Sequence, residues 1–318
     1  MTIKLGVIMD PIGSINFKKD STLAMLLEAQ QRGYELFYME QTDLFLQDQN
    51  VYAQMTELSV VNNPDKWFEL KTQQARKLSE LDIILMRKDP PFDMNYIFTT
   101  YLLELAEAQG TLIVNKPQSL RDANEKLYTA WFPQCTVATL VSSQSEQLRG
   151  FIDEHKDVIL KPLDSMGGSS IFHVKQHDAN TNVIIETLTV NNTKPVMAQR
   201  FIPEITQGDK RILLIDGEPV PYALARIPSA TDHRANLATG GTGKGIALSE
   251  RDYWICEQVA PTLKSKGLIF VGIDVIGDFL TEINVTSPTC IRELDKLYGL
   301  DIGAQLMDAI EVRLKQRQ

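Results

Sequence analysis

Ile3–Met9 is a short, nearly continuous apolar run, the mark of a strand buried on both faces of a sheet. Such a strand needs helices above and below it, and the next hundred residues supply them. Asp20 can cap a helix in which Leu23, Leu26, Leu27 and Gln30 follow helical spacing, and Gly33 is placed to end it. Glu35–Met39 and Leu81–Met86 read as further strands. Asn95–Gln109 reads as an amphipathic helix stopped by Gly110, with Leu112–Val114 as the strand after it. Strands separated by helices require crossovers, which predicts an α/β domain around a parallel sheet. The segment Gln41–Glu80 is polar and weakly periodic, and we expect a long excursion at the edge of this domain.

Beyond it the pattern changes to antiparallel α+β. Val158–Lys161, Ser170–Val174, Val196–Phe201, Arg211–Ile215 and Val220–Ile227 are strand-like, and Asp216-Gly217 between two apolar runs signals a hairpin. Helices are predicted near Ser145–His155, Ser249–Lys266 and Ile302–Lys315. The boundary falls near Ser119–Asn124, giving domains over 1–122 and 123–318, a division consistent with 318 residues at roughly 150 per domain.

Composition narrows the function classes. The chain is 43% hydrophobic and 23% charged, as in ordinary globular proteins. Its formal charge is −9, with 32 Lys and Arg against 41 Asp and Glu and no basic run, which argues against nucleic acid. No apolar run reaches the ~18 residues of a spanning helix, and Met1–Asp10 has one Lys and only a short apolar stretch, too little for a signal peptide. Cys135, Cys256 and Cys290 are odd in number and never spaced as CxxC, so neither a disulfide framework nor a zinc site is expected. These features predict a reduced, cytoplasmic protein.

Three segments carry candidate chemistry. Ala238–Gly245, ATGGTGKG, looks like a phosphate-binding loop but has Ala and Gly where the motif needs Gly and Ser or Thr. We expect a mobile glycine-rich loop there. No GxGxxG follows the first strand either, which removes most of the case for a dinucleotide site. In Ile159–Ser170, ILKPLDSMGGSS, a strand delivers Lys161 to a loop whose glycines let backbone amides approach an anion and whose serines add donors. Lys126 offers a second cation. The plain alternative is a flexible turn beside a surface lysine.

The strongest signal is Gly272–Pro288, GIDVIGDFLTEINVTSP. Glu282 and Asn284 are two apart on a strand and share a face, with Asp274 on the strand before. Such oxygen donors suit Mg²⁺, provided that Asp274 lies on the same face as Glu282. A two-residue turn at Gly277-Asp278 would pair Ile276 with Phe279 and set Asp274 opposite Thr281, turning Glu282 away. A three-residue loop would pair Ile276 with Leu280 and Asp274 with Glu282. Gly272 would then face Asn284 and leave room for an ion or phosphate. The chemistry demands that register, so we expect the three-residue loop.

The two lysines, the glycine-serine loop, AQRFIP at Ala198–Pro203 and the D…E-x-N set resemble the ATP-grasp fold. More closely, MDPIGSINFKKDSTLAMLLEAQQRGYEL, ILMRKDPPFD, NKPQSLRDANEKL, LKPLDSMGGSSIF and FVGIDVIGDFLTEINVTSPTCIRE resemble bacterial glutathione synthetases, departing mainly at Gln41–Glu80, Asp178–Lys194 and Ser229–Leu248. The resemblance implies a Rossmann-like N-terminal domain followed by an ATP-grasp pair, with 123–200 clamping ATP and 201–318 holding the catalytic and magnesium site. It implies ATP-dependent joining of γ-glutamylcysteine to glycine through an acyl phosphate, with two Mg²⁺ ions and a homo-oligomer (dimer or tetramer). Lys126, Lys161, Gly167, Gly168, Ser169 and Ser170 would hold phosphates; Gln199, Ile202 and Asp209 would take adenine and ribose. Asp274, Glu282 and Asn284 would bind magnesium. Arg211 and Arg226 would act at the reacting group, and Asn236, Ser287, Thr289 and Arg292 on the peptide. Both lysines are expected to be exposed in a cleft, and Ile227–Gly243, poor in apolar residues, is expected to be a lid. Another ligase of this fold, of D-alanine- or glutamate-adding type, would share the phosphate and metal residues; a non-catalytic nucleotide-binding regulator would bind ATP without turnover.

Overall fold

A computed structural model describes residues 2–165, 168–228 and 242–317. The predicted first strand is β1 (Lys4–Ile8), followed by α1 (Ser21–Gln31) and β2 (Glu35–Met39). Asp20 caps α1 as expected, its carboxylate accepting from the Leu23 N–H at 2.6 Å. The segment expected as an excursion instead folds into β3 (Leu44–Gln47), β4 (Asn50–Val60) and β5 (Phe68–Lys77). Val51, Ala53 and Met55 on β4 are buried at alternate positions, a period-2 signal interrupted further along by a bulge against β5. β6 (Ile83–Met86), α2 (Met94–Ala108), β7 (Leu112–Val114) and α3 (Pro117–Asp122) complete this part. The sheet runs β3-β4-β2-β1-β6-β7 with β5 beside β4. Its β2-β1-β6-β7 portion is parallel, as predicted, and the strands from residues 44–77 extend it antiparallel.

The rest forms two antiparallel sheets. β8 (Thr139–Ser142), α4 (Ser145–His155), β9 (Asp157–Pro162), β10 (Phe172–Lys175), α5 (Thr181–Thr189) and β11 (Val196–Arg200) make a four-stranded sheet in the order β10-β9-β11-β8 with two helices. β12 (Asp209–Ile215), β13 (Glu218–Pro219), β14 (Tyr222–Ile227), β15 (Thr242–Ala247), α6 (Glu250–Ser265), β16 (Phe270–Ile276) and β17 (Phe279–Asn284) make the third, in the order β15-β14-β12-β16-β17 with β13 beside β12. The chain ends in α7 (Ile291–Tyr298) and α8 (Ile302–Lys315). Asp216 and Gly217 take φ of 48° and 80° between the paired Ile215 and Glu218, the two-residue hairpin that Asp-Gly announced. The expected glycine-rich loop needs correcting: from Thr242 onward that segment is β15, its backbone paired with β14. Residues 238–241 lie outside those described.

The hydrophobic core does not follow the order of the sheets along the chain. Residues of the N-terminal sheet and of the third sheet pack into common clusters: Ile8, Met86 and Ile113 with Ile212, Ile273 and Ile283, and Leu5, Val7 and Leu85 with Leu213, Phe270 and α8. The four-stranded sheet keeps a separate core of Leu148, Ile152, Val158, Leu160, Ile185, Val196 and Ala198. Asn115, just after β7, stitches the first and third sheets together. Its amide donates to the carbonyls of Phe270 and Val285, both at 2.7 Å, and its oxygen accepts from the Phe270 N–H at 2.9 Å. Among the described residues no helix is long and apolar enough to cross a membrane. Asn115→Ala strands three buried backbone groups, each worth about 1–3 kcal/mol when left unpaired. Urea unfolding should show a loss of at least about 3 kcal/mol; a smaller loss would mean that another group or water takes over.

Candidate active site

The site lies where the third sheet meets the segment after α3. Arg211 on β12, Arg226 on β14, Asp274 on β16 and Glu282 and Asn284 on β17 all project from one face, because the pairs Arg211↔Asp274, Asp209↔Arg226, Asp274↔Glu282 and Gly272↔Asn284 share their side. The alternate residues Ile212, Ile273, Val275 and Ile283 fill the core behind. The expected loop register is wrong at the turn: Ile276 pairs with Phe279, the simpler two-residue connection. A bulge between Asp274 and Val275 then places Asp274 opposite Glu282. Leu280 and Ile283 are both fully buried yet three positions apart, which strict alternation forbids; that spacing was the readable signal for a bulge. The room expected over Gly272 is also filled, since a Cβ there would stand 3.0 Å from both Arg211 Cδ and Pro288 Cβ.

The buried charges are tightly cross-linked. Arg211 holds Asp274 through Nε and, at 2.9 Å, through Nη2. Arg226 bridges Asp209 and Asp274, the latter at 2.8 Å, and Asn284 donates to Asp274 at 3.3 Å. Burial alone would raise the Asp274 pKa, but the two guanidinium groups outweigh it and hold the carboxyl well below the usual carboxylate range. Asp209 goes the other way: burial, with Asp274 and Glu282 adding to it, pushes it up to about 7 against the pull of Arg226.

Glu125 and Lys126 arrive from the other side. The Ile283 N–H donates to the Glu125 carbonyl at 2.8 Å, which pins this segment to β17. Lys126 pairs with Glu125 and lies 3.7 Å from Glu282. Burial lowers its pKa but Glu282 and Glu125 raise it further, leaving the ammonium charged. Glu125, which the sequence reading missed although it adjoins Lys126, is raised by burial and by Glu282. Lys161 and Gln199 share a face of the four-stranded sheet, since Lys161 pairs with Met197 and Ile159 with Gln199. The expectation of exposed lysines fails: Lys126 is 2% and Lys161 5% accessible. Lys126 is covered with its counter-ions. Burial lowers the Lys161 pKa, and no bond of its ammonium is found among the described residues.

The other candidates are less gathered. Gly168, Ser169 and Ser170 lie in the loop after β9, where the Ser169 carbonyl accepts from Ser165 Oγ at 3.0 Å; Gly167 is outside the described residues. Gln199 is buried and donates to Thr139 at 3.1 Å, and Ile202 is buried just after β11. Ser287 donates to the Arg87 carbonyl at 3.4 Å, and Thr289 contacts Cys290. Arg87, also missed, is buried and donates to the Pro288 carbonyl at 2.9 Å and to Thr22 at 3.0 Å, which holds the Ser287–Thr289 segment. Arg292 donates to Asn62 and lies over Phe17, away from this cluster. Asn236 and most of the predicted lid lie outside the described residues.

Asp274, Glu282 and Asn284 offer hard oxygen donors on one face, and the crowding of Glu125 against Glu282 is relieved by a cation, so the residues fit Mg²⁺. Among the described residues no three His, Cys, Asp or Glu side chains close on a point, so such a site draws on the Asn284 oxygen as well as the carboxylates.

The fold is that of ATP-grasp ligases. The chain matches the ATP-grasp ligase PsnB, solved with a precursor peptide and AMPPNP, with a TM-score of 0.62 at 18% identity, covering 98% of each chain. D-cycloserine synthetase DcsG matches with a TM-score of 0.69 at 14% identity, covering 98% of this chain and 99% of that one. The family is narrower. Residues 3–121 match the model of the prokaryotic glutathione synthetase N-terminal domain, and residues 125–299 that of the prokaryotic glutathione synthetase ATP-grasp domain. Glutathione synthetase of Vibrio parahaemolyticus is 61% identical over 98% of this chain and 99% of its own length, and that of Pseudomonas putida 60% identical over all of both. The chain belongs to the prokaryotic glutathione synthetase family and is an ATP-dependent ligase.

The two lysines should separate in a stability measurement. Lys126→Met leaves Glu125 and Glu282 without their cation and should cost about 3 kcal/mol. Lys161→Met removes a buried ammonium that makes no bond among the described residues and should hold or raise the thermal midpoint. Equal losses in both would place Lys161 in an ion pair. Asp209 makes a second prediction. Its folded value of about 7 lies above the ~3.9 of an unfolded Asp, so the folded state binds the extra proton between those values. Its contribution to stability therefore falls as pH rises from about 4 to about 7, and Asp209→Asn should remove that slope from urea midpoints measured across the range. An unchanged slope would assign it to another group.

Proposed function

We propose that the chain joins γ-glutamylcysteine to glycine with ATP, giving glutathione, ADP and phosphate. The observation that carries this reading is the meeting of Lys126 and Lys161 with the Asp274–Glu282–Asn284 face beside two arginines, in a chain related over its full length to glutathione synthetases. Phosphoryl transfer needs positioning and charge neutralisation more than covalent help from the protein. The cysteinyl carboxylate attacks the γ-phosphorus and ADP leaves; the glycine amine then attacks the acyl phosphate carbon and phosphate leaves. Lys126 and Lys161 neutralise the phosphates, and backbone amides of the 167–170 loop donate to them. Gln199, Ile202 and Asp209 take the adenine and ribose. Arg211 and Arg226 face the charge that develops on the acyl phosphate. Ser287, Thr289, Asn236 and Arg292 position the peptide. Asp274, Glu282 and Asn284 would hold two Mg²⁺ ions, which supply charge neutralisation at the phosphate oxygens when bound.

In this reading residues 1–122 form the substrate-side domain, 123–200 the ATP-clamping module and 201–318 the catalytic one; the separate core of the four-stranded sheet supports treating it as a module. Three buried free thiols suit a reducing, cytoplasmic setting. Met94, Phe98, Tyr101 and Leu105 are exposed along one stripe of α2, which supports a homo-oligomer that covers it. Phosphate release should require γ-glutamylcysteine, glycine, ATP and Mg²⁺ together. Turnover that persists without γ-glutamylcysteine, or that prefers another amine to glycine, would replace this reading with that of a different ligase of the same fold.

A further inference from the structure

The hairpin that carries the metal-facing side chains is pinned at both ends and has one residue too many between them. At the tip, Lys210 donates to the Gly277 carbonyl at 2.9 Å while paired with buried Asp252, and Arg251 donates to the Asp278 carbonyl at 3.1 Å. At the far end Gly272 pairs with Asn284 and Ile273 with Ile283. Val275 and Leu280, both fully buried, pair between the two. From Leu280 to Glu282 the outer strand therefore spends two steps where β16 spends one, from Val275 to Asp274. Thr281 is the surplus residue. It is buried, and its hydroxyl donates to the Asp274 carbonyl at 3.0 Å across the bulge.

A bulge bends its strand and re-aims the side chains beside it. Thr281 adjoins Glu282 in the chain and bonds the backbone of Asp274, so this hydrogen bond ties together the two carboxylate residues that must face the same cation. We infer that Thr281 is a positioning residue for divalent-cation binding, with its hydroxyl fixing the bulge and so the aim of Glu282 relative to Asp274. The inference rests on the proposed magnesium role of that face. A hydrophobic residue of the same shape fills the same space without the donor, whereas serine keeps the donor and loses only a methyl group.

The test is ADP binding to the full chain, measured by calorimetry with and without Mg²⁺, which needs no turnover. In the unsubstituted protein Mg²⁺ should strengthen ADP binding. Thr281→Val should lose at least tenfold of that strengthening while keeping its Mg²⁺-free affinity, and Thr281→Ser should stay within about threefold of the unsubstituted protein. A Thr281→Val protein with the full Mg²⁺ effect overturns the inference. So does a folded Thr281→Ser protein that has lost the effect, and this arm stands even where Thr281→Val does not fold. An unsubstituted protein that binds ADP with no Mg²⁺ effect would fail at the earlier step, the reading of the face as a metal site.

Discussion

The carboxylate of Asp274 is the point on which the third sheet and the site both turn. Its strand neighbours Ile273 and Val275 belong wholly to the core, so Asp274 has no freedom to leave the opposite face without unfolding the strand. Two guanidinium groups from two other strands close on it, and a buried carboxylate so held stays ionised. Arg226 in turn reaches Asp209, and Glu282 opposite Asp274 reaches Lys126. Removing one member would leave a buried charge without its partner, which proteins tolerate poorly.

This dependence explains what could be read from the residues and what could not. Apolar runs such as Glu35–Met39, capping residues such as Asp20 and the Asp216-Gly217 turn are local signals, and the structure keeps them. The shared face of Asp274, Glu282 and Asn284 was legible because alternation along a strand is a local rule. The Asp274↔Glu282 pairing came out as expected, but by another route: the turn has two residues, and the bulge at Thr281 restores the register. The parity break between Leu280 and Ile283 pointed to it; the three-residue loop satisfied the chemistry without consulting the core.

Tertiary features were harder to see. β5 is exposed along most of its length and is a strand only because β4 lies beside it, so its own composition reads as loop. β15 is a glycine-containing strand for the same reason, its backbone paired with β14. The burial of Lys126 and Lys161 was hidden because it depends on carboxylates and neighbouring strands that sequence spacing does not bring together. Glu125 was missed for that reason: its part comes from Glu282, more than a hundred residues away along the chain.

The division of the hydrophobic core has a mechanical consequence. The N-terminal sheet and the sheet carrying Asp274 share their apolar clusters and the Asn115 stitch, and behave as one block. The four-stranded sheet bearing Lys161 and Gln199 rests on its own small cluster. The first and third sheets thus form a jointly packed anvil, and the four-stranded sheet a separately packed jaw. Heat or denaturant should therefore dismantle the jaw first, because its core contains fewer buried side chains. Nucleotide held between the two would strengthen the weaker wall most, since that wall has more order to gain.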